Sequence, residues 1–184
     1  IWQPMKEPTK PATRLTGLPP VVDARTRVLV LGSFPGVASL AARQYYGHAR
    51  NHFWPILAAL WPGQPLPDRG QYAARCDWLL ARGLGLWDVY AACEREGSLD
   101  SSIRNARVND FAGLLFQAPR LAAIAHNGGE SYSHARAVRA SLGLEGAAAI
   151  ASLRLPSTSP ANASWSLEKK LNAWGEALAR FGLV

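Results

Sequence analysis

The run Val28-Leu29-Val30-Leu31 breaks without transition into Gly32-Ser33-Phe34-Pro35-Gly36. Four apolar residues with no polar alternation describe a strand buried on both faces, as in a parallel sheet. Gly32 and Gly36 let backbone approach a ligand closely, and Pro35 stiffens the loop between them. In open α/β sheets, ligands bind beyond the carboxyl ends of the strands. The loop 32–36 is therefore the first candidate site.

The same punctuation recurs along the chain. Leu84–Tyr90 reads as a second strand. Leu121–Ala125 reads as a third, broken by Asn127-Gly128-Gly129. Ala147–Leu153 reads as a fourth, broken by Leu155-Pro156-Ser157-Thr158-Ser159-Pro160-Ala161-Asn162. Helical spacing lies between them. Phe53, Ile56, Leu57 and Leu60 share one face, and Tyr72, Cys76, Leu79 and Leu80 share another. Asn109 is placed to cap a helix carrying Phe111, Leu114 and Leu115, and a further helix runs from about Glu130 to Leu142. Ser164 or Ser166 caps a last one with Leu167, Leu171, Trp174, Leu178 and Phe181. This alternation predicts an α/β fold: a three-layer α/β/α sandwich around a central four-stranded, mainly parallel sheet. Residues 1–24 hold Pro4, Pro8, Pro11, Pro19 and Pro20 and read as an extended proline-rich arm; residues 25–184 form one domain.

Composition narrows the class. The 184 residues are 48% hydrophobic and 18% charged. That balance belongs to a globular domain with a substantial core. No apolar run approaches ~20 residues, and the first residues lack a charged-then-apolar leader pattern. Cys76 and Cys93 lack metal spacing, so the expectation is a reduced, cytoplasmic chain without a metal site. The formal charge of +7 favours a polyanionic partner. No acidic residue lies between Asp23 and Asp68, or between Glu145 and Glu168. Both windows carry strand-end loops. In the first, Gln44-Tyr45-Tyr46-Gly47-His48-Ala49-Arg50-Asn51-His52-Phe53-Trp54 combines aromatic, basic and polar groups. Such a mixture suits stacking on a base beside a phosphate backbone.

Several motifs in order carry a resemblance. They are Gly32-Ser33-x-Pro35-Gly36, Ser39-Leu40, Gln44-Tyr45-Tyr46, Asn51-x-Phe53-Trp54, Trp87-Asp88-Val89-Tyr90, Gly97-Ser98-Leu99-Asp100 and Leu155–Asn162. The first loop and the proline-centred second loop resemble the uracil-DNA glycosylase superfamily. Tyr46-x-His48-x-x-Asn51-x-Phe53-Trp54 resembles its mismatch-specific thymine-DNA glycosylase branch. The full set, over about residues 27–180, is similar to the hypoxanthine-DNA (deoxyinosine) glycosylases, family six.

The resemblance implies a monofunctional, cofactor-free DNA glycosylase acting on deaminated bases. Such an enzyme extrudes its target nucleotide and cleaves the N-glycosidic bond, aided by donors aimed at the departing base. Gly32, Ser33, Phe34, Pro35 and Gly36 would border the base. Tyr46 would stack on it, and His48 would touch phosphate or fill space. Many superfamily members carry Asp or Asn where this chain has Phe34, so restoring asparagine there is expected to alter substrate choice. Asn51 is then the key polar group, or a helix cap, or both. Asn127 resembles a second polar residue of the family, or serves its turn. Asp88 would accept a hydrogen bond from a ring N–H, or cap or pair structurally. Ser157, Ser159, Pro160, Ala161, Asn162, Ala163 and Ser164 match the loop that enters the minor groove, with Ala163 at the wedge position.

The implied partner is DNA containing deaminated bases, hypoxanthine first, met by a nucleoid-associated monomer with no membrane contact. Uracil or mismatch activity, a non-catalytic DNA-binding relative and a small-nucleoside hydrolase are the alternatives.

Overall fold

A computed structural model describes residues 13–143 and 149–184. In chain order the first elements are β1 (Arg14–Thr16), β2 (Val28–Gly32), α1 (Val37–Ala42), α2 (Phe53–Leu60), α3 (Tyr72–Ala81), β3 (Leu84–Asp88), β4 (Tyr90–Glu94) and β5 (Arg104–Val108). There follow α4 (Leu114–Gln117), β6 (Ala123–Asn127), α5 (Gly129–Tyr132), α6 (Ala135–Ser141), β7 (Ala151–Leu155) and α7 (Leu167–Ala179).

The expected central sheet is present and wholly parallel, in the order β3-β2-β6-β7. β2 is buried at every position, as its unbroken apolar run requires. Its alternating side chains divide the core into two layers. Val28 and Val30 join Leu84, Leu86, Ala123 and Ala125 against α2, α3 and α7. Leu29 and Leu31 join Ile124, Phe111, Leu114 and Val138 on the other face.

Some elements differ from the sequence reading. The expected strand Leu84–Tyr90 is split at Val89: β3 stays in the parallel sheet, while β4 turns into a separate antiparallel sheet, β1-β4-β5. That sheet was not foreseen, because β5 is exposed at every residue and shows no hydrophobic alternation. Asn109 caps no helix. Its Nδ2 donates to the Asp88 carbonyl at 2.8 Å, and α4 starts only after Gly113. The helix expected over Glu130–Leu142 is two, α5 and α6. Near the break, the Ser133 hydroxyl donates to the Glu130 carbonyl. A local bond of this kind competes with helix continuation. The fourth strand is Ala151–Leu155, whereas part of the predicted one lies outside the described residues.

The described part of the proline-rich stretch, residues 13–24, is packed on the domain, whereas residues 1–12 of the expected arm lie outside the described residues. β1 pairs with β4, and Val21 exchanges backbone hydrogen bonds with Leu86 at 2.8 and 2.9 Å. This covers the outer edge of β3. Leu18 is buried, and the Tyr45 hydroxyl donates to Pro19 O at 2.9 Å. The arm thereby fixes Tyr45, whose neighbour Tyr46 enters the site.

Candidate active site

The carboxyl ends of the four parallel strands open into one cleft of about 860 Å³. That is ample for a small ligand. The whole loop Gly32–Gly36 lines it, together with Tyr46, His48, Asn51, Asp88 and Asn127. So do Ser157, Ser159, Pro160, Ala161 and Asn162. Ala163 and Ser164 do not; both are exposed beyond the rim.

Gly32 and Asp88 are register partners at the ends of β2 and β3. A Cβ on Gly32 would lie 2.5 Å from Asp88 Oδ1. Only glycine leaves room for this carboxyl. Asp88 is 4% exposed, and its Oδ2 has no hydrogen-bond partner among the described residues. Burial, reinforced by the nearby Asp100 charge, pushes its pKa up to about 7. A carboxylate acceptor was the expectation; a carboxyl pushed up this far can also hold its proton near neutral pH and act as a donor.

Tyr46 forms a side wall. Its ring stacks on Phe53 at 4.1 Å between centroids and 30° between planes. Its backbone is left-handed, at φ 56 degrees. That conformation costs a non-glycine residue about 1–2 kcal/mol. The loop is held there by α1: Ser39 Oγ accepts from Gly47 N at 3.0 Å, and Ser39 O from Gln44 N. That explains the buried serine of the Ser39-Leu40 pair. The Tyr46 hydroxyl is buried, and burial raises its pKa, opposed by the nearby Asn127 amide.

Asn51 lines the cleft and, one residue before the N-cap His52, makes a cap-type bond to the start of α2. Its Oδ1 accepts from Phe53 N at 2.9 Å at the start of α2. That bond fixes the amide orientation and leaves Nδ2 without a protein partner among the described residues. Asn51 therefore has its two N–H donors available to the cleft, while one lone pair of Oδ1 is taken by Phe53 N. Asn127 is committed elsewhere. Its Oδ1 accepts from Thr158 N at 2.9 Å and its Nδ2 donates to Thr158 Oγ1 at 3.0 Å. It clamps the 155–162 loop to β6, which leaves one N–H for anything else. His48 is exposed on the rim, where Nδ1 accepts from Arg50 N.

Phe34 borders the cleft, but its ring belongs to the core. The residue is 6% exposed, clusters with Leu31 and Val89, and lies under the Arg95 guanidinium at 5.2 Å. Gly17 closes on it from the arm: a Cβ there would lie 3.3 Å from a ring carbon. This removes the geometric basis for expecting an asparagine at 34 to act on substrate. A short polar group would be buried among apolar neighbours instead.

Lining residues without an assigned role in the sequence reading include Ser98, Asp100, Arg154 and Trp165. Asp100 accepts from Ser33 Oγ at 2.6 Å, and Ser98 Oγ accepts from Val37 N at 2.9 Å. The Gly97–Asp100 motif therefore braces the first loop. Arg154 brings a cation to the acid-free edge of the cleft. Trp165 lies 42% exposed on the rim, two residues past Ala163. A lone exposed tryptophan after a serine-rich loop was the available signal. The loop beneath it is tied to α7: Trp174 Nε1 donates to Pro156 O at 3.1 Å, and buried Lys170 donates to Ser159 O at 3.5 Å and reaches His52 Nδ1 at 3.2 Å.

A family model described as Uracil DNA glycosylase superfamily matches residues 19–181. The chain belongs to this superfamily. A hypoxanthine DNA glycosylase from Methanosarcina barkeri (strain Fusaro / DSM 804) is 38% identical over 164 residues, covering 89% of this chain and 98% of the relative. One from Methanosarcina acetivorans is 36% identical, covering 84% and 92%. A solution NMR structure from Methanosarcina acetivorans, provisionally described as a uracil DNA glycosylase, superposes with a TM-score of 0.73. It is 34% identical and covers 91% of this chain and 99% of its own.

The enzyme class implied by the motifs, a DNA glycosylase hydrolysing N-glycosyl bonds, is thus the class of this chain. Its cleft combines an apolar Phe34, an Asn51 whose amide nitrogen has no partner among the described residues, and a buried Asp88 carboxyl. No helix among the described residues is long and apolar enough to cross a membrane.

Proposed function

We propose that this glycosylase excises hypoxanthine from DNA and leaves an abasic site. One observation carries the base preference: both relatives named hypoxanthine DNA glycosylase match over more than nine-tenths of their own length. The cleft supports it. The Tyr46 ring, backed by Phe53 on one face, offers its other face to the flipped base, worth ~1–3 kcal/mol. The Asn51 Nδ2 donates to the base and stabilises the negative charge that develops as it leaves. Asp88 lies beside Gly32 at the ends of β2 and β3 and faces the ring nitrogens. Loop 157–164 binds backbone phosphates through its serine hydroxyls and N–H groups, helped by His48 and Arg154.

Trp165, rather than Ala163, has the volume to fill the gap left by an extruded base. The protein acts as a monomer on nucleoid DNA. The test is a set of duplexes carrying inosine, uracil or xanthine, treated with enzyme and then with alkali to break abasic sites. Inosine strands should break fastest, with rates that fall steeply with salt. Salt-independent cleavage of free nucleosides would instead identify a small-nucleoside hydrolase.

A further inference from the structure

A purine that departs from its sugar takes both electrons of the C1′–N9 bond. Unless it gains a proton, it leaves as an anion. The imidazole nitrogen N7 is the lone pair best placed to receive that proton, and uracil has no equivalent. A purine-excising cleft of this superfamily that lacks an acidic or amide side chain at position 34 thus gains most from an acid aimed at the base. Two carboxyls line the cleft, Asp88 and Asp100; Asp100 is engaged by Ser33 Oγ, whereas Asp88 keeps an oxygen without a partner among the described residues.

We propose that Asp88 is the general acid that protonates N7 of the departing purine; this rests on reading the cleft as a hypoxanthine-excising site. The carboxyl lines the cleft beside Gly32 at the ends of β2 and β3, 4% exposed, with Oδ2 unpartnered among the described residues. An unpaired buried polar atom of this kind is costly unless a ligand completes it. Cationic compensation is weak. Arg95 opposes the rise in proton affinity, but less than burial and Asp100 promote it. Its guanidinium donates to Pro35 O and Gly97 O and lies over the Phe34 ring. The other ionisable groups that face Asp88 are Tyr45 and Tyr46 from the loop after α1, Tyr72 from α3, and Asp100 from the turn after β4. None of these four carries positive charge. Asp100 is negative and raises the proton affinity of Asp88.

The step balances as follows. The Asp88 proton passes to N7 as the C1′–N9 pair moves onto the base, which leaves as neutral hypoxanthine. Water adds to the sugar cation at C1′ and loses its proton to solvent. Asp88 is then reprotonated from solvent.

The experiment measures single-turnover release of hypoxanthine from an inosine duplex between pH 5.5 and 8.5. For the wild type the rate should be level at the acid end and fall tenfold per pH unit above a midpoint of about 7. Asp88→Asn keeps the shape but has no transferable proton. It should be slower by ~100-fold or more at pH 6 and lose the alkaline fall. Asp100→Asn removes the repelling charge and should move the midpoint to lower pH. Thermal melts establish that each variant folds; if Asp88→Asn does not, the wild-type and Asp100→Asn profiles decide. A level wild-type profile overturns the proposal. So does an Asp88→Asn enzyme within threefold of wild type at pH 6, or one that keeps the alkaline fall. An Asp100→Asn midpoint that stays put overturns it as well. Absence of hypoxanthine release by wild type at every pH removes the hypoxanthine reading itself, whereas release with any of these profiles removes only the role of Asp88.

Discussion

The Asn51 side-chain oxygen accepts the Phe53 N–H at 2.9 Å, so the same residue that starts α2 presents its amide nitrogen to the cleft. The bond ties down the start of α2; under the proposed function the amide nitrogen is the donor to the base. Asn51→Ala should lower stability by ~1 kcal/mol, the cost of a lost cap. It should lower single-turnover excision of hypoxanthine by ~10²-fold or more, as for other preorganised donors. Asn51→Asp keeps the cap but loses the donor. It should recover the melting temperature and not the rate. Equal recovery of both would reduce Asn51 to a structural residue.

Phe34→Asn is expected to damage the core rather than redirect the chemistry. The ring is packed among Leu31, Val89, Gly17 and Arg95. Its loss should cost ~3 kcal/mol or more. Denaturant melts measure this directly. Uracil excision should not rise. A stable variant with new uracil activity would show that the side chain at 34 reaches the base after all.

Trp165→Ala should slow excision most where the target is well paired, because extrusion there costs most. Inosine opposite cytosine and inosine in single strands provide the comparison. The ratio of single-strand to duplex rate should rise several-fold, while Ala163→Gly leaves it unchanged. An unchanged ratio in Trp165→Ala would place the wedge elsewhere.

The buried Asp88 also predicts how stability depends on pH. Its carboxyl titrates at about 7 in the folded protein, against 3.8 when free in the unfolded chain. Below about pH 4 both states hold the proton, and Asp88 adds no penalty. As pH rises toward 7 the unfolded state releases its proton while the folded state keeps it, so stability falls. Above about pH 7 the loss levels off, after a few kcal/mol. Asp88→Asn should therefore gain on wild type between about pH 4 and 7 in denaturant melts. A constant difference across that range would mean that Asp88 ionises freely in the fold.

The parallel sheet was legible because β2 is an unbroken buried apolar run that stops at Gly32, while β6 stops at Asn127 and β7 stops before Pro156. The converging loops followed from it, since all lie at strand carboxyl ends. The antiparallel sheet was hidden because β5 carries Arg104, Asn105 and Arg107 on an exposed surface. Asn109 misled because a capping residue and a side chain that ties down a strand end look alike in sequence; here it holds the Asp88 carbonyl. The site's composition was legible, but the commitments of its amides were not. Whether Asn51 or Asn127 keeps a free donor depends on Phe53 N and on Thr158, and only the three-dimensional pairing decides that. Phe34 was legible as a departure from the superfamily pattern, but not as a core residue, because its partner Gly17 comes from the arm.

The most direct test of the central claim is chromatographic identification of the base released from a duplex with a single inosine, with purified protein and chelator present. The account predicts stoichiometric free hypoxanthine and an abasic strand that alkali cleaves. An intact inosine strand, with uracil released efficiently from a matched uracil duplex, would contradict it.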